Sequence, residues 1–167
     1  SIGATMPISI TSSHTHNPII SLIGFPGSGK STVGVLLAKR MGIDFVDTDI
    51  LIQSRENATL AEIIAANDYL YLRKIEEQVL TEMSIDHSVI STGGSVVYSD
   101  KIMQRLAKET SVVYLRAQLE TVEYRISLSP DRGIASSKNQ TLGDIFAERV
   151  PLYERWAHVT VDVDTDN

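Results

Sequence analysis

The chain has no cysteine. Disulfides, thiolate nucleophiles and cysteine metal sites are thereby excluded, a usage that suits a reducing compartment. It also lacks a basic excess: 15 Lys and Arg stand against 21 Asp and Glu, a formal charge of −6. Phosphate backbones attract basic surfaces, so this balance argues against a general nucleic-acid binder. It leaves room for a small anionic ligand, which needs only a few local arginines. No apolar run approaches the ~20 residues of a membrane span. The N-terminus shows no basic segment followed by an apolar core, so no signal peptide is read. No internal repeat or long low-complexity stretch is present. A cytoplasmic protein with neither nucleic acid nor membrane as partner is the expectation.

What remains is an ordinary globular composition: 167 residues, 43% hydrophobic, most simply one domain able to bury a core. Residues 1–18 are rich in Ser, Thr, His, Asn and Pro and read as a flexible tail. Met6 is the expected native start, and His14 and His16 are read as solvated rather than metal-binding. Residues 19–167 form the expected domain.

Short apolar runs alternate with helical patterns. Strands are expected at Ile19–Ile23, Phe45–Asp47, Ser88–Ser91, Ser111–Leu115 and His158–Val163. After the first strand, Val33, Leu36, Leu37 and Met41 recur at helical spacing, and Gly42 is placed to end that helix. Helices are expected at about 49–55, 60–66, 72–83, 99–109 and 119–127. Another starts at Thr141, with Asp144 as capping-box partner. Pro151 removes a hydrogen bond from this last helix and is expected to kink it near Arg149. Tyr153 and Trp156 are read as packing residues, and residues 128–140 as a mobile loop. Strands alternating with helices imply an α/β fold in three layers, a five-stranded parallel sheet covered by helices on both faces. Ligands bind such sheets beyond the carboxyl ends of the strands.

Those ends carry the unusual residues. Gly24-Phe25-Pro26-Gly27-Ser28-Gly29-Lys30-Ser31 fits the phosphate-binding P-loop pattern G-x-x-x-x-G-K-[ST]. A strand, a glycine-rich turn and a helix N-terminus aim several backbone N–H groups at one spot, which binds phosphate without side chains. Gly27, Ser28, Gly29, Lys30, Ser31 and Thr32 are therefore the nucleotide-binding candidates. Lys30 would reach the β- and γ-phosphates, and Ser31 would offer a hydroxyl to Mg²⁺. ATP and Mg²⁺ follow as the expected cofactors. Asp47 and Asp49 lie two apart at the end of the second strand. Two residues along an extended segment point the same way, so one supports Mg²⁺ and the other faces an acceptor hydroxyl. Arg73 and Glu76, three apart on a helix, share a face. A guanidinium fork there matches a carboxylate in two hydrogen bonds, with Glu76 holding Arg73 in place. Gly93-Gly94 would let backbone approach a ligand. Arg132, in the 128–140 loop, is placed to fold over phosphates as part of a lid.

Together, GFPGSGKSTVG, the acid pair of FVDTD, LRKIEEQVL, STGG and ERVPLYERWA resemble the shikimate kinase family, from about Ile19 onward. The resemblance implies a P-loop kinase fold with a lid at about 128–140, and transfer of the ATP γ-phosphate to the 3-hydroxyl of shikimate in aromatic amino-acid biosynthesis. By it, Asp49 contacts that hydroxyl, Arg73 and Arg149 hold the shikimate carboxylate, and Gly93 and Gly94 line its hydroxyls. Lys30, Asp49 and Arg132 are the implied catalytic residues, Arg125 lies near the nucleotide base, and Ser31 and Asp47 serve the metal. A monomer is expected.

The chain departs from the family pattern at three places. Leucine replaces phenylalanine in Leu72-Arg73-Lys74-Ile75-Glu76, Ser95 follows Gly93-Gly94 where the family has a third glycine, and the lid run is Arg132-Gly133-Ile134-Ala135. The family's last helix is expected to be missing after Asn167. Two further readings stand beside the first: a related P-loop kinase for another small hydroxylated carboxylic acid, and a non-catalytic nucleotide-binding module. Retention of Lys30, Ser31, Asp47 and Asp49 favours an enzyme.

Overall fold

The computed structural model describes residues 19–129 and 139–164. The 1–18 tail, most of the 128–140 loop and Arg132 with it lie outside the described residues.

Five strands build one sheet: β1 (Ile20–Ile23), β2 (Asp44–Asp47), β3 (Ser88–Ser91), β4 (Ser111–Arg116) and β5 (Val159–Asp162). Their order is β2-β3-β1-β4-β5, and every pairing is parallel. Successive strand residues point to opposite faces. Leu22 and Leu115 therefore join one cluster while Ile23 and Tyr114 join another. The interior strand β3 is buried along its whole length, whereas the edge strand β5 is exposed along its own.

Helix α1 (Lys30–Met41) covers the Leu22 face. The larger cluster on the Ile23 face gathers α2 (Thr48–Glu56), α3 (Leu60–Ala66), α4 (Tyr69–Glu82), α5 (Asp100–Glu109), α6 (Leu119–Ser127) and α7 (Leu142–Trp156). The three-layer parallel fold is thus as expected. Gly42 ends α1 with φ 70°, its N–H bonding Ala38 O. Thr141 and Asp144 form the capping box of α7.

The buried face of α1 differs from the expectation. Val33 and Leu36 are 37% and 56% exposed, while Gly34 and Ala38 are buried. The cause is close approach to the sheet side: a Cβ at Gly34 would lie 2.5 Å from the Phe45 ring. Small residues seat the helix, with Leu37 and Met41 packed at its flank. Helix α7 runs unbroken through Pro151 to Trp156.

Candidate active site

The carboxyl ends of β1, β2 and β3 converge on one cavity of about 640 Å³. The P-loop lines it through Gly27, Gly29, Lys30, Ser31 and Thr32; Asp47, Asp49, Glu76, Gly93, Gly94, Ser95 and Arg149 complete its polar wall. Of the residues singled out from sequence, Ser28 sits beneath this wall, 1% exposed. Its N–H closes the loop onto Phe25 O at 3.0 Å.

Gly27 and Gly29 have φ of 91° and 94°, a left-handed conformation that side-chain-bearing residues avoid. This winds the backbone into an N–H nest at the start of α1. Lys30 is 8% exposed, and its Nζ donates to Gly24 O at 2.7 Å and Phe25 O at 3.1 Å. The ammonium is therefore fastened to the loop whose phosphate it would neutralise. Arg125 Nη1 donates to Gly27 O at 3.0 Å, which lays this arginine across the outside of the same loop.

Ser31 Oγ donates to Asp47 Oδ2 at 2.9 Å. A hydroxyl and a carboxylate beside a phosphate nest are the hard oxygen ligands that Mg²⁺ takes together with substrate phosphates, so these residues fit that ion. Among the described residues, no group of three or more His, Asp or Glu makes a protein-only metal site. Asp47 has a second role that the extended-pair reading missed. It is the N-cap of α2, its Oδ1 accepting from Asp49 N at 2.9 Å. Asp49 thus stands in the first turn of a helix rather than on the strand, and the cap, not strand periodicity, sets its direction.

Asp49 meets Glu76 at Gly93. A Cβ on Gly93 would overlap Glu76 Oε2 and lie 3.0 Å from Asp49 Oδ1. A Cβ on Gly94 would lie 2.5 Å from Pro26 Cδ and 3.1 Å from Arg149 Nη1. The glycine pair is what lets two carboxylates and a buried arginine close around one turn. Tyr153 fixes that turn from below: fully buried and stacked on Tyr114, it donates its hydroxyl to Gly94 O at 2.5 Å. Tyr153 was read as a packing residue and is also a support of the site. No local pattern marks it, because its partner is 59 residues away.

Ser95, the departure at the third glycine, points into the site and donates to Glu76 Oε1 at 2.9 Å. Burial first, and then Asp49, pushes the Glu76 carboxyl up to about 7, against the opposing pull of Ser95, Arg149 and Arg73. Arg149 is 1% exposed and lines the acceptor end of the cavity. Arg73 lines a neighbouring cavity of about 280 Å³, which shares Glu76 and Ser95 with the first. Its guanidinium carbon lies 3.7 Å from the Tyr98 ring centroid and 4.8 Å from that of Tyr69. Burial holds the Arg73 pKa below its ordinary value, with Tyr98 opposing and Arg149 adding to the effect.

A phosphate nest at the switch point of a parallel 2-3-1-4-5 sheet, facing an acid pair and a buried arginine, defines a P-loop phosphotransferase acting on a small molecule. A family model described as shikimate kinase matches residues 26–167. A shikimate kinase of Mycobacterium avium is 38% identical over 153 residues, covering 90% of this chain and 86% of its own. One from Thermodesulfovibrio yellowstonii is 35% identical over 139 residues, covering 81% of this chain and 80% of its own. The solved shikimate kinase of Acinetobacter baumannii, in complex with shikimate, superposes with a TM-score of 0.81 at 32% identity, covering 89% of this chain and 85% of that one. The chain belongs to the shikimate kinase family.

Proposed function

We propose that this protein transfers the γ-phosphoryl group of ATP to the 3-hydroxyl of shikimate. The observation that carries the reading is the convergence of Asp49, Gly93 and Arg149 on the cavity that the P-loop also lines. A module that only binds nucleotide needs no acid at an acceptor position.

The P-loop N–H groups and Lys30 cradle the β- and γ-phosphates. Ser31 and Asp47 would hold Mg²⁺, which when bound neutralises phosphate charge. Asp49 accepts a hydrogen bond from the acceptor hydroxyl and aims its oxygen at the γ-phosphorus. As the new O–P bond forms and the bond to the bridging oxygen breaks, the hydroxyl proton passes to Asp49 and ADP leaves. Arg149 and Arg73 bind the acceptor carboxylate, and the Gly93-Gly94 backbone lines its hydroxyls. Arg132 would close over the transferred group, and Arg125, already on the P-loop, would border the nucleotide base. Catalysis on this reading is positioning and charge neutralisation.

The same reading takes the protein to be a cytoplasmic monomer. The absence of cysteine fits a reducing compartment. Among the described residues, no helix is long and apolar enough to cross a membrane.

The test is ADP release with MgATP and a panel of shikimate, quinate, gluconate and homoserine. Shikimate should support the fastest turnover, abolished in Lys30→Ala. Turnover with another acid but not with shikimate would overturn the acceptor assignment. ATP binding with no turnover on any acceptor would overturn the enzymatic reading.

A further inference from the structure

Two cations that repel each other share one aromatic ring. Arg73, on α4, lies against Tyr98 at 3.7 Å, and Arg149, on α7, has its guanidinium carbon 5.4 Å from the same ring. Tyr69, one turn before Arg73, covers that guanidinium from a second side at 4.8 Å. The Tyr98 hydroxyl donates to Glu148 Oε1 at 2.5 Å, which brings a carboxylate to the same ring edge and ties the turn at Val96–Tyr98 to α7. The neighbours Val96 and Val97 point into the core, but Tyr98 is half-buried and stands outside both apolar clusters. Two guanidinium groups thus lie against a ring that belongs to neither cluster.

An arginine side chain carries large rotamer freedom, and fixing it upon ligand binding weakens that binding. A guanidinium stacked on an aromatic face has already lost much of that freedom. The electron-rich face also offsets the repulsion from a second cation.

We propose that Tyr98, together with Tyr69, is a positioning element of the acceptor site, holding Arg73 beside Arg149 so that the pair stands ready for the acceptor's carboxylate. This rests on the kinase reading above and adds to it residues that none of the sequence motifs contain. Tyr98 lines the smaller cavity with Arg73 and not the cavity that the P-loop lines; it acts through Arg73.

Steady-state kinetics with shikimate and MgATP on the full chain tests this in wild type, Tyr98→Leu, Tyr98→Met and Tyr98→Phe. Loss of the ring in the Leu and Met variants should raise the shikimate KM about tenfold, from the usual strength of a partly desolvated cation–aromatic contact. The ATP KM and kcat should stay within about twofold, because uniform binding is what is lost. Tyr98→Phe, which keeps the ring, should recover most of the loss. In an Arg73→Ala background, Tyr98→Leu should add less than about twofold, since contacting residues are coupled. An unchanged shikimate KM in both ringless variants overturns the inference alone, with the kinase reading intact. So does a fall in kcat that matches the KM change, or full additivity with Arg73→Ala. Failure of the wild type to turn over shikimate overturns the kinase reading and this inference together.

Discussion

Raising the pH from about 5 to about 8 should destabilise the protein through Glu76, in a window that the geometry defines. Glu76 is 4% exposed. Its carboxylate is desolvated and faces Asp49, and both effects disfavour the charged form, lifting it from 4.5 to about 7. In the unfolded chain Glu76 releases its proton near the lower value. Between the two, the folded state holds a proton that the unfolded state has lost. Stability therefore falls as pH rises through this window. At about 1.4 kcal/mol per pH unit, the full fall is about 3 kcal/mol, complete just above pH 7. Glu76→Gln keeps an oxygen acceptor for the Ser95 hydroxyl and removes the titration. Urea unfolding of both proteins at several pH values reads the difference directly. The wild type should lose about 3 kcal/mol relative to Glu76→Gln between pH 4 and 8, with the gap opening mainly between 5 and 7. Parallel stability curves for the two proteins across that window would refute the reasoning.

Two other perturbations follow, one at the turn beside this carboxylate and one at the far end of α4. Gly93→Ala would push a methyl group onto Glu76 Oε2 and to 3.0 Å from Asp49 Oδ1; misplacing the acid proposed to face the acceptor should cut turnover about 100-fold while ATP affinity holds. Near wild-type initial rates would show that the turn yields more easily than its packing implies. Arg105 caps the end of α4, Nη1 donating to Leu80 O at 2.6 Å and Nη2 to Met83 O at 2.8 Å. Arg105→Ala should cost about 2 kcal/mol in urea unfolding, and a loss below about 0.5 kcal/mol would mean that water replaces the cap.

The features legible in the sequence are those carried by neighbours in the chain. The P-loop, the glycine end of α1 and the Thr141–Asp144 capping box each depend on residues within a few positions, so their spacing announces them. The apolar runs of β1, β3 and β4 reveal a parallel sheet because both faces of it are covered. The face of α1 was misread for the converse reason. Its seat is set by the Phe45 ring from another strand, which selects Gly34 and Ala38 over the larger Val33 and Leu36. The extended-strand rationale for Asp49 did not hold, because the strand ends at Asp47 and a helix begins at once, yet Asp47 and Asp49 still line one cavity. Arg149 was found only through the family resemblance, since its burial depends on Phe25, Tyr98 and Gly94, each distant in sequence. Tyr98 went unremarked and Tyr153 was read only as packing, because their partners lie 50 and 59 residues away. Long-range contacts of single side chains leave no periodic trace.

The central claim is that one cavity brings a nucleotide phosphate and an acceptor hydroxyl together, with Asp49 between them. The most direct measurement pairs ATP affinity with shikimate-dependent ADP release in wild type and Asp49→Asn. The account predicts release that requires shikimate in the wild type, a fall of about 100-fold or more in the variant, and ATP affinity unchanged within about twofold. Sustained turnover in Asp49→Asn, or equal loss of ATP binding and transfer, would contradict it.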